Sequence, residues 1–134
     1  MHTRLNYSSK DLIKFIIEGI QNKKGKNIVN ISFKKIENAV CQNFIICNGD
    51  SNTHVCAIGD SVEDYVKNKL NERADHKEGF KNAQWILLDY IDVVVHVFQK
   101  QYRDHYKLEE LWADADITVI EEKITENNRI INYD

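Results

Sequence analysis

The first part of the chain has the hydrophobic spacing of an amphipathic helix. Ser8 or Ser9 can act as its N-cap, and Gly25 lies beyond its end. The pattern predicts a helix from about Lys10 to Lys23. Its buried face would contain four apolar residues at positions i, i+3, i+4 and i+7: Ile13, Ile16, Ile17 and Ile20.

The apolar residues that follow have strand patterns. Residues 44–47 are apolar at consecutive positions, which indicates a strand covered on both faces, as in α/β layer structures. A tight turn at 48–51 leads to a second amphipathic helix, which Asp50 or Ser51 can cap. Before it, three alternating apolar residues predict a strand near a sheet edge: Val29, Ile31 and Phe33.

The second half of the chain adds a hairpin. Two apolar runs, Trp85 to Leu88 and Val93 to Phe98, flank residues 89–92 and predict two antiparallel strands. The second helix should end within the polar stretch Leu70 to Phe80. Residues Gln99 to Trp112 are expected to form one or two short helices.

These elements predict the α/β class. We expect a single domain with a mixed β-sheet of about five strands flanked by helices, which suits a chain of 134 residues. The domain would span residues 1–120. Residues 121–134 have weak periodicity and many polar groups, so a frayed C-terminal extension is expected there.

Length and composition also predict the cellular setting. No stretch approaches the roughly 18 apolar residues of a transmembrane helix, and Met1 to Lys10 lacks the apolar core of a signal peptide. Cys41, Cys47 and Cys56 are an odd number in apolar surroundings, which suits reduced thiols better than a disulfide framework. We therefore expect a soluble, cytoplasmic protein that does not bind membranes.

Charge is unevenly distributed along the chain. Residues 1–35 carry eight Lys or Arg against two acidic residues, a local net charge of +6. Residues 107–122 carry one Lys against six acidic residues, a net charge of −5. The two segments are either solvated faces or, for the acidic one, a docking surface for a basic partner. The overall charge of −3 argues against binding of a specific nucleic acid.

Two weak signals favour nucleotide chemistry. Gly49 to Ser51 could hold a phosphate at the strand-to-helix turn, although a plain capped turn is the simpler interpretation. Asp89 and Asp92 could hold Mg²⁺, so a Mg²⁺-dependent nucleotidyltransferase is an alternative function. However, the run Val93 to Phe98 has no carboxylate pair, and its His96 is typical of a core or rim residue. We expect no enzyme, no catalytic residue, no cofactor and no metal.

The segment Arg103 to Asp114 is the most informative part of the sequence. In a helix, Glu109 and Glu110 would project to the flanks of an apolar face. This face would either seal the sheet, which composition favours, or stay exposed with Trp85 or Tyr106 as an anchor ringed by carboxylates. A flat apolar face could also pair with its own copy, so a self-associating scaffold is a third interpretation. Separately, the sequence leaves open whether the free protein is a homodimer that must dissociate before it docks. The face would contain three residues: Leu108, Leu111 and Trp112.

Two motifs follow one another in a fixed order along the chain. The first motif is residues 44–51 with His54 and Val55. The second is the hairpin of residues 85–98 and the residues that follow it: Arg103, Tyr106, Leu108, Glu109, Leu111 and Trp112. Together the two motifs resemble a known family, the ribosomal silencing factors or Iojap-like proteins. The likeness extends over roughly Ser9 to Ala115.

The resemblance implies a fold, a function and a site. The fold would have a nucleotidyltransferase-like topology without the active site. Family members bind the large ribosomal subunit through its fourteenth ribosomal protein and obstruct joining of the small subunit, so a translational repressor is implied. The residues implied to bind that ribosomal protein are Trp85, Asp89, Asp92, Tyr106, Leu108, Glu109, Leu111 and Trp112.

One departure from the family concerns the hairpin turn. Many relatives have Gly where this chain has Ile91, between Tyr90 and Asp92. A β-branched residue tolerates positive φ poorly. We therefore expect the hairpin to use another turn geometry, which affects where Asp89 and Asp92 are placed.

Overall fold

A computed structural model describes residues 8–121 of the chain. These residues form one six-stranded sheet and four helices. The elements in chain order are α1 (Ser9–Asn22), β1 (Lys26–Ser32), β2 (Asn43–Gly49), α2 (Asn52–Leu70), β3 (His76–Glu78), β4 (Trp85–Asp89), β5 (Val93–Gln99), α3 (Lys100–Tyr106), α4 (Leu108–Leu111) and β6 (Asp116–Val119). Among residues 8–121, no helix has the length and apolar character needed to cross a membrane.

The sheet is mixed, as the sequence predicts. Its strand order is β3-β4-β5-β2-β1-β6. The central strands β2 and β5 are parallel, and every other neighbouring pair is antiparallel. The α2 crossover and the β3–β4 pair provide the long connection that a parallel pair needs.

Helices α1 and α2 cover one face of the sheet. They pack closely on each other: a Cβ at Gly19 would lie 2.9 Å from the Val62 Cα. Ser61 Oγ also donates a hydrogen bond to the Gly19 carbonyl at 2.7 Å. Because both faces of β2 are covered, Ile45, Ile46 and Cys47 are buried at consecutive positions and Phe44 is half-buried, which confirms that prediction. The core on this side includes Ile16, Ile20, Ile45, Ile58, Val62, Val95 and Val97.

The predicted helices and the hairpin are confirmed. The capping box of α1 forms at Ser8, whose hydroxyl accepts from the Asp11 N–H while the Asp11 carboxylate accepts from the Ser8 N–H. Ser51 caps α2 by accepting from the His54 N–H at 3.1 Å. The hairpin strands β4 and β5 pair antiparallel, and two short helices, α3 and α4, follow them.

The sheet has six strands, one more than the expected count of about five, and the two that the sequence did not locate are β3 and β6. Every residue of β3 and β6 is exposed, because these strands are the two edges of the sheet. Neither strand therefore has the buried alternation on which a strand prediction depends. The predicted frayed extension at 121–134 lies, after Glu121, outside the described residues.

The expected geometry of the hairpin turn was wrong. Ile91 has φ of +75°, in the region that a β-branched residue rarely adopts. The Asp92 N–H donates to the Tyr90 carbonyl at 2.9 Å across Ile91, the bond pattern of a γ-turn. Asp89 stabilises this turn, since its Oδ1 accepts from the Ile91 N–H at 2.7 Å. Tyr90, only 1% exposed, anchors the turn in the core.

Candidate functional site

The other face of the sheet carries a row of aromatic rings. Strand alternation places side chains from β4, β5, β2 and β1 on this face. Helices α3 and α4 run across it and contribute Tyr106 and, just beyond α4, Trp112. We call the following residues the aromatic row: Tyr106, Trp85, Phe98, His96, Phe44, Trp112 and Phe33.

One end of the aromatic row is built around Trp85. Its ring stacks on Phe98 with centroids 4.8 Å apart, and Tyr106 packs against it at the same distance. Phe98 is fully buried, whereas Tyr106 is 46% exposed. Trp85 is half-buried, so this end presents one side of an aromatic stack to solvent.

The other end of the aromatic row is built around Trp112. Its ring lies edge-on to Phe33 at 4.9 Å and to Phe44 at 6.2 Å. Trp112 therefore helps to seal the sheet, as the simpler interpretation of this segment predicts. It remains half-buried, so part of its ring also lies at the surface.

His96 joins the two ends. Its ring contacts Phe44 at 4.4 Å, and its Nδ1 accepts a hydrogen bond from Trp85 Nε1 at 3.0 Å. The Nε2 atom therefore carries the proton of the neutral ring. Burial lowers the pKa of His96 to about 4, because the charged form loses its hydration there. This is the core or rim histidine that the sequence predicts.

The three apolar residues predicted to share one helix face separate in the structure. Helix α4 ends at Leu111, and Trp112 is its C-cap. Leu108 packs under the helix at 9% exposure, whereas Leu111 points outward at 70% exposure. The segment thus contributes a seal, Leu108, and an exposed apolar side chain, Leu111.

Asp89 and Asp92 lie at the rim of this face, at the hairpin tip. The Asp89 carboxylate is committed to the Ile91 N–H. The Asp92 carbonyl accepts from the N–H groups of Gln42 and Asn43 at 2.8 and 3.1 Å, which ties the tip to the start of β2. Both residues are half-buried, so they provide negative charge beside the apolar side chains.

Glu109 is placed differently from the expectation that it projects to the helix flank. Its Oε2 accepts from both Nε and Nη2 of Arg103, at 3.2 and 2.5 Å. Arg103 is itself 8% exposed. The sequence identified Arg103 only as part of the resemblance. No local pattern marks it, because its other partners lie 55 and 76 residues away along the chain.

The residues of the alternative nucleotide site do not meet. Gly49 pairs with Gln99 at one end of the parallel strands, whereas Asp89 pairs with Val94 at the other end of β5. Five residue steps of strand separate those ends, about 17 Å. The turn itself is filled by His54, whose Nδ1 accepts from the Asp50 N–H at 2.9 Å. Residues 8–121 contain no cluster of three or more metal-ligating side chains.

Fold and site together define a mixed α/β domain with an apolar, acid-rimmed face suited to docking. We call this surface the docking face, and it consists of Trp85, Tyr106, Leu111 and Trp112 with Asp89 and Asp92. A family model described as "Ribosomal silencing factor during starvation" matches residues 6–132. The chain belongs to this family, which confirms the resemblance and assigns it a ribosome-associated role in translational silencing.

Individual proteins that are similar to this chain support the same family assignment. The chain is 34% identical over 114 residues to the ribosomal silencing factor RsfS of Halalkalibacterium halodurans, covering 85% of this chain and 96% of that one. It is 35% identical over 108 residues to RsfS of Bacillus subtilis, covering 81% and 90%. A crystal structure of a Chromobacterium violaceum protein, 34% identical, has a TM-score of 0.75 and covers 80% of this chain and 88% of that chain.

Proposed function

We propose that this protein is a translational repressor that binds the large ribosomal subunit through its fourteenth ribosomal protein and blocks joining of the small subunit. The observation that carries the proposal is the docking face. It presents Tyr106 at 46% and Leu111 at 70% exposure beside two half-buried tryptophans. Large apolar side chains surrounded by polar groups are typical anchors of protein interfaces.

Charge supports a basic partner. Asp89 and Asp92 border the docking face, and Glu110 is exposed beside it on α4. Ribosomal proteins are generally basic because they lie against RNA, so an acidic rim would speed the encounter while the apolar anchors slow release. In this proposal the protein acts in the cytoplasm, where ribosomal subunits meet, and has no enzymatic activity.

The volume of the bound protein is sufficient to obstruct joining of the small subunit. A domain of this length has a radius of gyration of roughly 14 Å. A rigid body of that size seated on the intersubunit surface would overlap the incoming small subunit. No catalytic group is required, and the separation of Asp89 from the turn at Gly49 is consistent with this mode of action.

The docking face is tested by changing Leu111. Leu111→Ser should weaken binding to isolated large subunits about tenfold, because it removes an exposed anchor while leaving the core intact. The matched control is Val119→Ser on β6, since Val119 is 69% exposed and Leu111 is 70% exposed. Co-sedimentation measures both affinities.

Equal affinities of the Leu111 variant and the wild type would contradict the docking face. Pull-down with the purified fourteenth ribosomal protein identifies the partner, and its failure while large subunits still bind would contradict that assignment. Sedimentation of the free protein over a concentration series detects a homodimer. A homodimer that uses the docking face would be weakened by Leu111→Ser in the same way.

A further inference from the structure

Arg103 connects four elements of the fold from a buried position. It lies in α3, at the carboxyl ends of the parallel strands β2 and β5. Its Nη1 donates to the Asn27 carbonyl at 2.5 Å and to Asn48 Oδ1 at 2.9 Å. Its Nε and Nη2 donate to Glu109 in α4. One guanidinium therefore links β1, β2, α3 and α4.

The backbone around Arg103 needs such a link. Lys107 lies between the two helices, as the C-cap of α3 and the N-cap of α4. It is a non-glycine residue with φ of +50°. Helix α4 is a single turn that buries only Leu108. A helix this short is not stable by itself. The orientation of α4 relative to α3 must therefore be set by tertiary contacts. Within residues 8–121, the Arg103–Glu109 ion pair provides such a contact through polar groups.

The junction of α3 and α4 at Lys107 in turn determines where the exposed part of the docking face lies. Tyr106 immediately precedes Lys107. Glu109 is the second residue of α4, Leu111 is its last residue and Trp112 is its C-cap. A rotation of α4 about Lys107 would move Leu111 and Trp112 relative to Trp85, which is fixed in β4 by stacking on Phe98.

We infer that Arg103 and Glu109 are positioning residues of the docking face: their partly buried ion pair orients α4, and Glu109 acts through Arg103 instead of contacting the partner's basic side chains. This inference rests on the proposed function, because it specifies how that surface is organised. It also distinguishes two acidic neighbours on α4. Glu109 has a 30% exposed side chain turned toward Arg103, whereas Glu110 is exposed.

The chemistry of the pair favours this role. A guanidinium presents a planar fork of five N–H donors, so it can hold Glu109, Asn48 and Asn27 simultaneously. Lysine retains the charge but not the fork, and it cannot satisfy these acceptors in the same geometry. Arg103 is the buried partner, so removing the Glu109 charge leaves a buried guanidinium without its counter-charge. Either change should therefore free α4 from its fixed orientation.

Binding kinetics test the inference with matched variants. Arg103→Lys and Glu109→Gln should each speed dissociation from large subunits about tenfold, and the double variant should be no weaker than the worse single one. The salt dependence of the association rate should stay as in the wild type, because neither residue faces the partner. The control Glu110→Gln should instead slow association and reduce its salt dependence. The inference is overturned if Glu109→Gln behaves like Glu110→Gln while Arg103→Lys binds normally.

Hydrogen exchange gives a second measurement that does not need the ribosome. The N–H groups of Leu111 and Trp112 donate to the Lys107 and Leu108 carbonyls at 3.4 and 3.3 Å. Their exchange should quicken in Glu109→Gln and Arg103→Lys, with α2 amides unchanged. Unchanged exchange at these amides would overturn the inference. A wild type that fails to bind large subunits would instead contradict the proposed function, and exchange would still report on α4.

Discussion

His96 is the buried ionisable residue at the centre of the aromatic row. Its Nδ1 accepts the Trp85 indole N–H, so protonation would replace this acceptor with a second donor. Within residues 8–121, its Nε2 has no hydrogen-bond partner. The neutral ring is therefore the form that fits the folded protein.

The low pKa of His96 predicts acid sensitivity. The pKa is about 4 in the folded state and near its ordinary value of 6.5 in the unfolded state, so the unfolded state binds the proton first as pH falls. The stability that depends on the neutral ring is complete above pH 6.5 and is lost between pH 6.5 and 4. At pH 4 the loss is roughly 3 kcal/mol of unfolding free energy.

Urea unfolding at pH 7 and pH 4 measures this loss. The free energy of unfolding of the wild type should fall between pH 7 and pH 4. In His96→Gln most of this fall should be absent, because the variant lacks the titrating ring. His105→Gln, at an exposed histidine, serves as the control and should keep it. An equal pH dependence in the wild type and His96→Gln would contradict the assignment.

Individual residues also show how far the sequence can predict the site. Strand alternation and the two short helices place Trp85, Asp89, Tyr106, Leu111 and Trp112 on one face, while their binding of the ribosomal protein stays a prediction. The separation of buried Leu108 from exposed Leu111 could not be predicted, because α4 ends one residue before Trp112. Glu109 turned inward for a reason outside its own helix, the buried guanidinium from α3.

At the scale of elements, the hairpin tip is held in a strained conformation. A β-branched residue at φ of +75° costs on the order of 1–3 kcal/mol and persists only where its surroundings fix it. Here Asp89 accepts the Ile91 N–H, and buried Tyr90 holds the preceding residue. The tip therefore places Asp89 and Asp92 rigidly at the rim of the docking face.

Replacing Ile91 by glycine should relieve this strain. Ile91→Gly is expected to stabilise the protein by about 1 kcal/mol, the relieved strain minus the greater entropy of the unfolded glycine chain. The matched control is Ile117→Gly in β6, because both isoleucines are 39% exposed. The control should destabilise by about 1 kcal/mol, since glycine weakens a strand. Urea unfolding that shows the same loss for both variants would contradict a strained turn.

Strands β3 and β6 were not predicted from the sequence for the same physical reason. In β6 the side chains of Ile117 and Val119 lie beside Ile31 and Val29 across the ladder, yet both remain exposed at the sheet edge. In β3 all three residues are charged or titratable, which protects an edge from pairing with other chains. Edge strands are held by backbone pairing with a neighbour, and this pairing leaves little trace in the local hydrophobic pattern.

At the scale of the whole molecule, the two charged segments of the chain partly neutralise each other. Lys35, from the basic segment, pairs with Asp116, from the acidic one, at 3.2 Å. Both side chains are more than half exposed, so the pair contributes little to stability. Beside the docking face, half-buried Asp89 and Asp92 at the hairpin tip and exposed Glu110 on α4 provide the negative charge.

In the proposed function, a rigid domain docks through one face and obstructs subunit joining by its volume. This central claim is tested by mixing large subunits, saturated with this protein, with small subunits and measuring the fraction of joined ribosomes by sedimentation. The proposed function predicts that joining falls in proportion to occupancy and recovers with Leu111→Ser at the same concentration. Normal joining by large subunits that are shown to be fully occupied would contradict it.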